Sequence, residues 1–196
     1  MEIHSSWSTF EWLVADALEK GYGIGICAAS DDHKCRLGAS YPGAGSFGSL
    51  GGLTCFLAER LDRDQIHEAI RNRHFYATTG HRPILSVRVE HPDGGTAIMG
   101  DVVGIGSDHG EIEVIVDASG TQPIDEITLF NGRNVVGSRR PYTEQELSTR
   151  IKIIWSGARV RGRDRMVNQD GNLFIEGNSI RSVTPINFWN PLNKIE

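Results

Sequence analysis

The chain has 196 residues, enough for one large domain or two small ones, each with a core of its own. Hydrophobic residues at 39% and charged residues at 23% are the balance of an ordinary globular chain. A net charge of −5, spread over both halves, excludes the broad basic field that binds nucleic acid, and no apolar run reaches the length of a membrane span.

Met1-Glu2-Ile3-His4 carries no basic stretch followed by an apolar one, so no signal peptide is visible at this end. The cysteines, Cys27, Cys35 and Cys55, are odd in number and have no CxxC spacing. Cys27 and Cys55 lie in apolar runs, where a free thiol acts as a small hydrophobe. This favours a reducing compartment such as the cytoplasm.

Glu2-Ile3-His4 reads as the tail of a strand. Ser8-Thr9-Phe10-Glu11 then has the capping-box spacing, and Phe10, Leu13, Val14, Ala17 and Leu18 fall on one face of a helix. With Gly21 as the C′ residue, the spacing predicts a helix over 9–20, followed by a strand over 22–29. Strands joined in this β-α-β fashion run parallel. His4 at the end of the first strand, and Asp31 and His33 beyond the end of the second, therefore emerge at one carboxyl edge. On an extended backbone Asp31 and His33 also share a side. One carboxylate and two imidazoles can hold a divalent ion and leave a position open for water, which the ion acidifies. The other reading of Ser30-Asp31-Asp32-His33 is a strand-ending turn, since Ser and Asp are turn formers.

Residues 34–52 form a long loop with six glycines. Gly43-Ala44-Gly45-Ser46-Phe47-Gly48 matches GxGxxG by letter, but it follows Pro42 and opens no helix, so it is no dinucleotide fingerprint. Lys34 and Arg36, cationic and next to the ligand candidates, are candidate substrate-binding residues; the alternative is that they are solvated loop charges. A buried-type strand over 53–58, a helix over 62–73 opened by the Asp62/Gln65 capping box, and a strand over 75–78 follow. His67-Glu68 has no second histidine four residues on, so it is no zinc-protease motif. Alternating strands and helices make residues 1–82 an α/β region.

From 83 to 196 the period switches to that of strands. Ile84–Val89, Ile112–Val116, Ile127–Phe130 and Ile151–Trp155 alternate or nearly so, punctuated by turns at 92–95, 107–110, Asn131-Gly132 and 169–171. The expectation is an antiparallel, β-sandwich-like domain. Asp108-His109 lies in a polar turn and reads as structural. Arg159, Arg161, Arg163 and Arg165 would share one face of an extended segment. Such a stripe could bind phosphate, but pairing with acidic residues of its own domain is the preferred reading.

The segments 2–7, 9–12, 30–34, 38–45 and 76–80 (EIHSSW, TFEW, SDDHK, GASYPGAG and YATTG) resemble the carboxyl-terminal section of the PHP (polymerase and histidinol phosphatase) superfamily, in a poorly characterised bacterial branch. The resemblance covers most of residues 1–82 and, less specifically, the β-rich remainder. It implies a distorted β/α barrel holding two or three divalent ions (Zn, Mn or Fe), with His4 as a late single-histidine ligand and Asp31 and His33 as the final Asp-x-His pair. It also implies phosphoesterase activity on a small-molecule, phosphorylated substrate.

The superfamily's opening His-x-His strand and mid-barrel ligands have no counterpart in the chain. Asp32 stands where the branch usually has glycine, and Cys35 and Leu37 where it has Gly and Pro. The expectation is therefore the last portion of a longer hydrolase, inactive without its N-terminal barrel segment. The alternative is a non-catalytic β-sandwich interaction module with a barrel remnant. Either way, Ile186, Phe188 and Trp189 should pack back on the α/β part, and the open barrel edge should drive self-association.

Overall fold

The computed structural model describes residues 1–6, 8–31, 33, 51–90, 95–104, 112–151, 153 and 172–184. The chain opens with β1 (Glu2–Ser5), β2 (Ser8–Thr9), α1 (Trp12–Glu19) and β3 (Cys27–Ala28). β1 pairs in parallel with β3, as the β-α-β reading requires, with His4 beside Ala28. Its other edge carries β2 in antiparallel register, His4 opposite Thr9 and Ser5 opposite Ser8.

That second pairing corrects the predicted start of the helix. Ser8 and Thr9 do not cap it; they form a strand, and the Phe10 amide donates to the Ile3 carbonyl. α1 begins at Trp12, and its N-cap residue Glu11 makes no side-chain capping bond. The far end follows the sequence. Gly21 has φ +74°, its amide donates to Leu18 O, and the Tyr22 amide donates to Ala17 O, the two bonds of a Schellman motif.

The strand expected over 22–29 shrinks to Cys27–Ala28. Thr54 covers its free edge: the Ala28 amide donates to Thr54 Oγ1 at 3.0 Å, and that hydroxyl donates to Ala28 O at 2.8 Å. Beside it the Gly52 amide donates to Ala29 O at 2.9 Å. β4 (Leu53–Phe56) thus meets β3 through a side chain, and its own ladder is antiparallel to β5 (Phe75–Thr78). Between these strands runs α2 (Arg63–Asn72), where Asp62 accepts from the Gln65 amide as the capping pattern predicts.

Among the described residues the parallel ladder is confined to β1 and β3, and no barrel is closed. The expected mix of helices with a β-rich remainder holds at this coarser level: the described residues are mostly strands with two helices, in small and mostly antiparallel sheets. The cause is local. The glycines at 21, 23 and 25 leave little side-chain surface to carry a long buried strand, and β4 finds its backbone partner in β5.

The second region is antiparallel as expected. β6 (Ile84–Glu90) lies between β7 (Thr96–Ile98) and β8 (Glu113–Ser119), and Arg88 reaches diagonally to Asp117 at 2.8 Å. β9 (Ile127–Asn131) and β10 (Asn134–Arg139) form a hairpin across Gly132-Arg133, bulged between Val135 and Gly137. β10 carries no strand expectation from the sequence, although Asn131-Gly132 marks its turn. Ile151 and Ile153, expected in a strand, are exposed and outside any strand; the rest of 151–155 lies outside the described residues, apart from these two. The turns at 107–110 and 169–171, the arginines at 159–165 and the tail residues 186–189 also lie outside them.

Among the described residues, three sets of bonds join the two regions. The Tyr76 hydroxyl donates to Pro83 O at 2.7 Å and accepts from the Leu85 amide at 3.2 Å. Burial, followed by a hydrogen bond with Cys55, holds that phenol above its ordinary pKa. His74 Nε2 meets Asp101 Oδ1 at 2.8 Å, while Arg73 Nε donates to Gly100 O at 3.1 Å. At the hairpin tip Arg133 bonds Asp16 and Glu19 of α1. Among the described residues, no helix is long and apolar enough to cross a membrane.

Candidate functional site

The carboxyl ends of β1 and β3 come out side by side. The Ala29 amide donates to His4 O at 3.1 Å, and the Ser6 amide to Ser30 O at 2.9 Å. Ser6 Oγ then donates to Asp31 O, also at 2.9 Å, fixing the first residue of the candidate ligand turn against β1. The parallel crossover therefore brings His4 and the 31–33 turn to one edge, as the sequence implies.

The backbone there differs from expectation. Asp31 and His33 are not extended; they have φ of 45° and 58°, the left-handed region. Their side chains meet nonetheless, with His33 Nε2 at 3.0 Å from Asp31 Oδ1. The alternation argument thus predicts the proximity for the wrong reason. Asp and His tolerate left-handed backbone better than most residues, at a cost of order 1 kcal/mol each. Arg73, with φ 61°, is the other non-glycine residue of this kind among those described.

His4 is in a different environment. It is 6% exposed, next to Ser5 and Ser6, and Ser6 is 1% exposed. The side chains of His33 and Asp31 are 55% and 39% exposed. His4 Nδ1 lies 2.7 Å from Thr9 Oγ1 across the β1–β2 ladder. Gly52 closes the other side: a Cβ built there would meet the Ala28 Cβ and stand 2.9 Å from His4 O and 3.0 Å from His4 Cδ2. Only a residue without a side chain lets β4 approach this closely.

The donor chemistry, imidazole nitrogen with carboxylate oxygen, suits Zn, Mn or Fe. The structure brings Asp31 and His33 into contact and sets His4 on the adjacent strand. Among the described residues no three His, Cys, Asp or Glu side chains are grouped closely enough to hold an ion by themselves. Lys34 and Arg36 lie outside the described residues. Two contributors to the site are absent from the sequence reading. Thr9 reads there as the first residue of the helix, and Gly52 as one of six loop glycines; the pairing of Thr9 with a strand five residues earlier has no periodic signature. No protein-family model, no curated protein and no solved structure matches this chain.

Proposed function

We propose that the chain supplies the carboxyl-terminal ligand segment of a metal-dependent hydrolase of PHP type, a phosphoesterase whose remaining ligands come from an N-terminal barrel segment. In this reading β1-α1-β3 is part of the distorted β/α barrel, and the β-rich region is a sandwich-like appendage. The observation that supports it best is the Asp31–His33 contact in strained backbone at the parallel strand edge that also carries His4. Left-handed backbone at two non-glycine positions costs free energy, and such conformations concentrate at functional sites.

His4 and His33 would contribute nitrogen donors and Asp31 an oxygen donor. Lys34 and Arg36 would draw in and orient the phosphate of a small-molecule substrate. A bound divalent ion would add Lewis acidity and a water acidified toward neutrality. With the second ligand set supplied from elsewhere, the isolated chain is expected to bind metal weakly and to turn over phosphate esters at background rates.

Calorimetric titration of the purified chain with Zn²⁺ and Mn²⁺ tests this. The wild type is expected to bind, and Asp31→Ala and His33→Ala each to weaken binding about tenfold or more. Equal affinities in all three, or no binding by the wild type, would remove the metal reading. Robust metal-dependent hydrolysis of p-nitrophenyl phosphate by residues 1–196, lost in Asp31→Ala, would instead overturn the need for an upstream segment. The exposed apolar residues of the β9–β10 hairpin favour a second reading, a non-catalytic interaction module. The exposed Phe130, Val135 and Val136 of the β9–β10 hairpin would then be contact residues.

A further inference from the structure

We propose that Asn131 is a site of spontaneous deamidation, and that its conversion releases the β9–β10 hairpin tip from α1. The inference uses none of the residues of the metal reading and stands apart from it.

Asn131 is the one asparagine of the sequence that glycine follows. The hairpin ladder ends at the Asn131–Asn134 pair, so Gly132 and Arg133 are the two residues of the turn. Gly132 has φ +60° and Arg133 lies outside the left-handed region, the pattern of a type II′ turn, which takes glycine at its first central position. The turn thus calls for glycine at 132, and glycine is the residue that shields the preceding asparagine least. The surroundings add nothing to the shield. Asn131, Gly132 and Arg133 are all exposed, and a Cβ built on Gly132 would meet nothing within 4 Å. The Asn131 amide therefore has room to swing over the Gly132 nitrogen. Among the described residues the Gly132 N–H donates to no acceptor, so no bond has to break before that nitrogen reacts.

The reaction needs only water. The Gly132 nitrogen gives its proton to hydroxide and bonds to Asn131 Cγ, while the bond from Cγ to the side-chain nitrogen breaks and ammonia leaves with a proton from water. Water then opens the five-membered imide. Cleavage at the former side-chain carbonyl gives aspartate, and cleavage at the former backbone carbonyl gives isoaspartate; nothing is oxidised or reduced. Isoaspartate routes the backbone through the old side chain and inserts a methylene ahead of Gly132. Loop length fixes hairpin register, and a two-residue turn has no slack for the insertion. The Asn131–Asn134 pair is therefore lost. Arg133, whose Nη2 donates to Glu19 Oε2 at 3.1 Å and also bonds Asp16, is carried away from α1. Either product also adds a carboxylate two residues from that guanidinium, in competition with Asp16 and Glu19.

Mass spectrometry of the purified chain, held at 37 °C and pH 8, reads the conversion as a gain of about one dalton, and peptide mapping locates it. The first gain is expected at Asn131, at a rate within about tenfold of that of the urea-unfolded chain, because a hairpin tip opens at little cost in free energy. Asn131→Gln, which would have to close a larger ring, is expected to lose this early gain. In the converted protein, separated by anion exchange, hydrogen exchange in β9 and β10 is expected to quicken while β6 keeps its wild-type rate. A first gain at another asparagine, a native rate below that window, or wild-type exchange in β9 and β10 after conversion each overturns the proposal. Should Asn131→Gln fail to fold, the wild-type time course and the exchange of its converted fraction still decide.

Discussion

Around β1 and β3 a polar run, His4-Ser5-Ser6, is buried, whereas along β9 and β10 an apolar set, Leu129, Phe130, Val135 and Val136, is exposed. Both regions are short paired strands. The difference lies in what closes on them. β1 has a strand on each side, Thr54 completes β3, and β5 lies against both. The hairpin is anchored at its tip by Arg133 on α1, and at its base Glu126 gathers Ser138, Arg140 and Thr128. Burial here follows the number of elements that converge on a strand and the bonds they offer its polar groups, and apolar content alone does not secure it.

The largest expected effect falls on the crowded edge. Gly52→Ala pushes a methyl group against Ala28 and the His4 carbonyl, and should cost about 1–3 kcal/mol as over-packing in urea unfolding followed by tryptophan fluorescence. An unchanged midpoint would show that this edge is no tighter than the hairpin. Tyr76→Phe should come next. It removes the hydroxyl shared by Pro83 O and the Leu85 amide, for a loss of about 1 kcal/mol and faster exchange of the Leu85 amide. If that amide keeps its protection, the junction between the two regions is held by something else.

A pH series sharpens the comparison at the other junction. The hydrogen bond from His74, then the Ile98 amide, hold the Asp101 carboxyl below its ordinary pKa of about 3.9. Because the folded value is the lower one, the stability it contributes is present above about pH 3.9 and disappears as pH falls through the folded value. Asp101→Asn should therefore reduce stability at pH 6 and converge on the wild type at the acid end. A difference that stays constant with pH would refute the linkage. The smallest effect is expected at the hairpin tip. Arg133 is solvent-exposed, so Arg133→Ala should leave the unfolding midpoint unmoved while hydrogen exchange in β9 and β10 speeds up.

Much of the first region is legible in the sequence because its signals are local. The Asp62 cap, the Gly21 terminus and the Phe75–Thr78 strand each depend on residues within one or two turns. The parallel β1–β3 edge is legible too, since crossover handedness and direction follow from the β-α-β order. What escapes is decided by partners distant in sequence or by competing local uses. Ser8-Thr9-Phe10-Glu11 has the same letters whether it opens a helix or pairs Thr9 with His4. The left-handed Asp31 and His33 leave no mark on the hydropathy pattern, and the antiparallel choice of β4 depends on β5, which follows α2. Of the candidate site, the Asp31–His33 contact is legible in the sequence, while Thr9 and Gly52 are visible only once the strands are placed.

The hydroxyl of Thr54, standing in for a backbone rung on β3, bears on the order in which the molecule assembles. β1-α1-β3 and β4-α2-β5 are each contiguous in the chain, so each can form at a modest loop-closure cost. The Thr54–Ala28 bonds join residues 26 apart and require both units to be in place. They are therefore expected to form after the main barrier, when Ser6 already holds Ser30 and Asp31 against β1. Thr54→Val should accordingly quicken unfolding and leave the folding rate nearly unchanged in stopped-flow measurements. A folding rate slowed in proportion to the lost stability would place the docking at the start of folding.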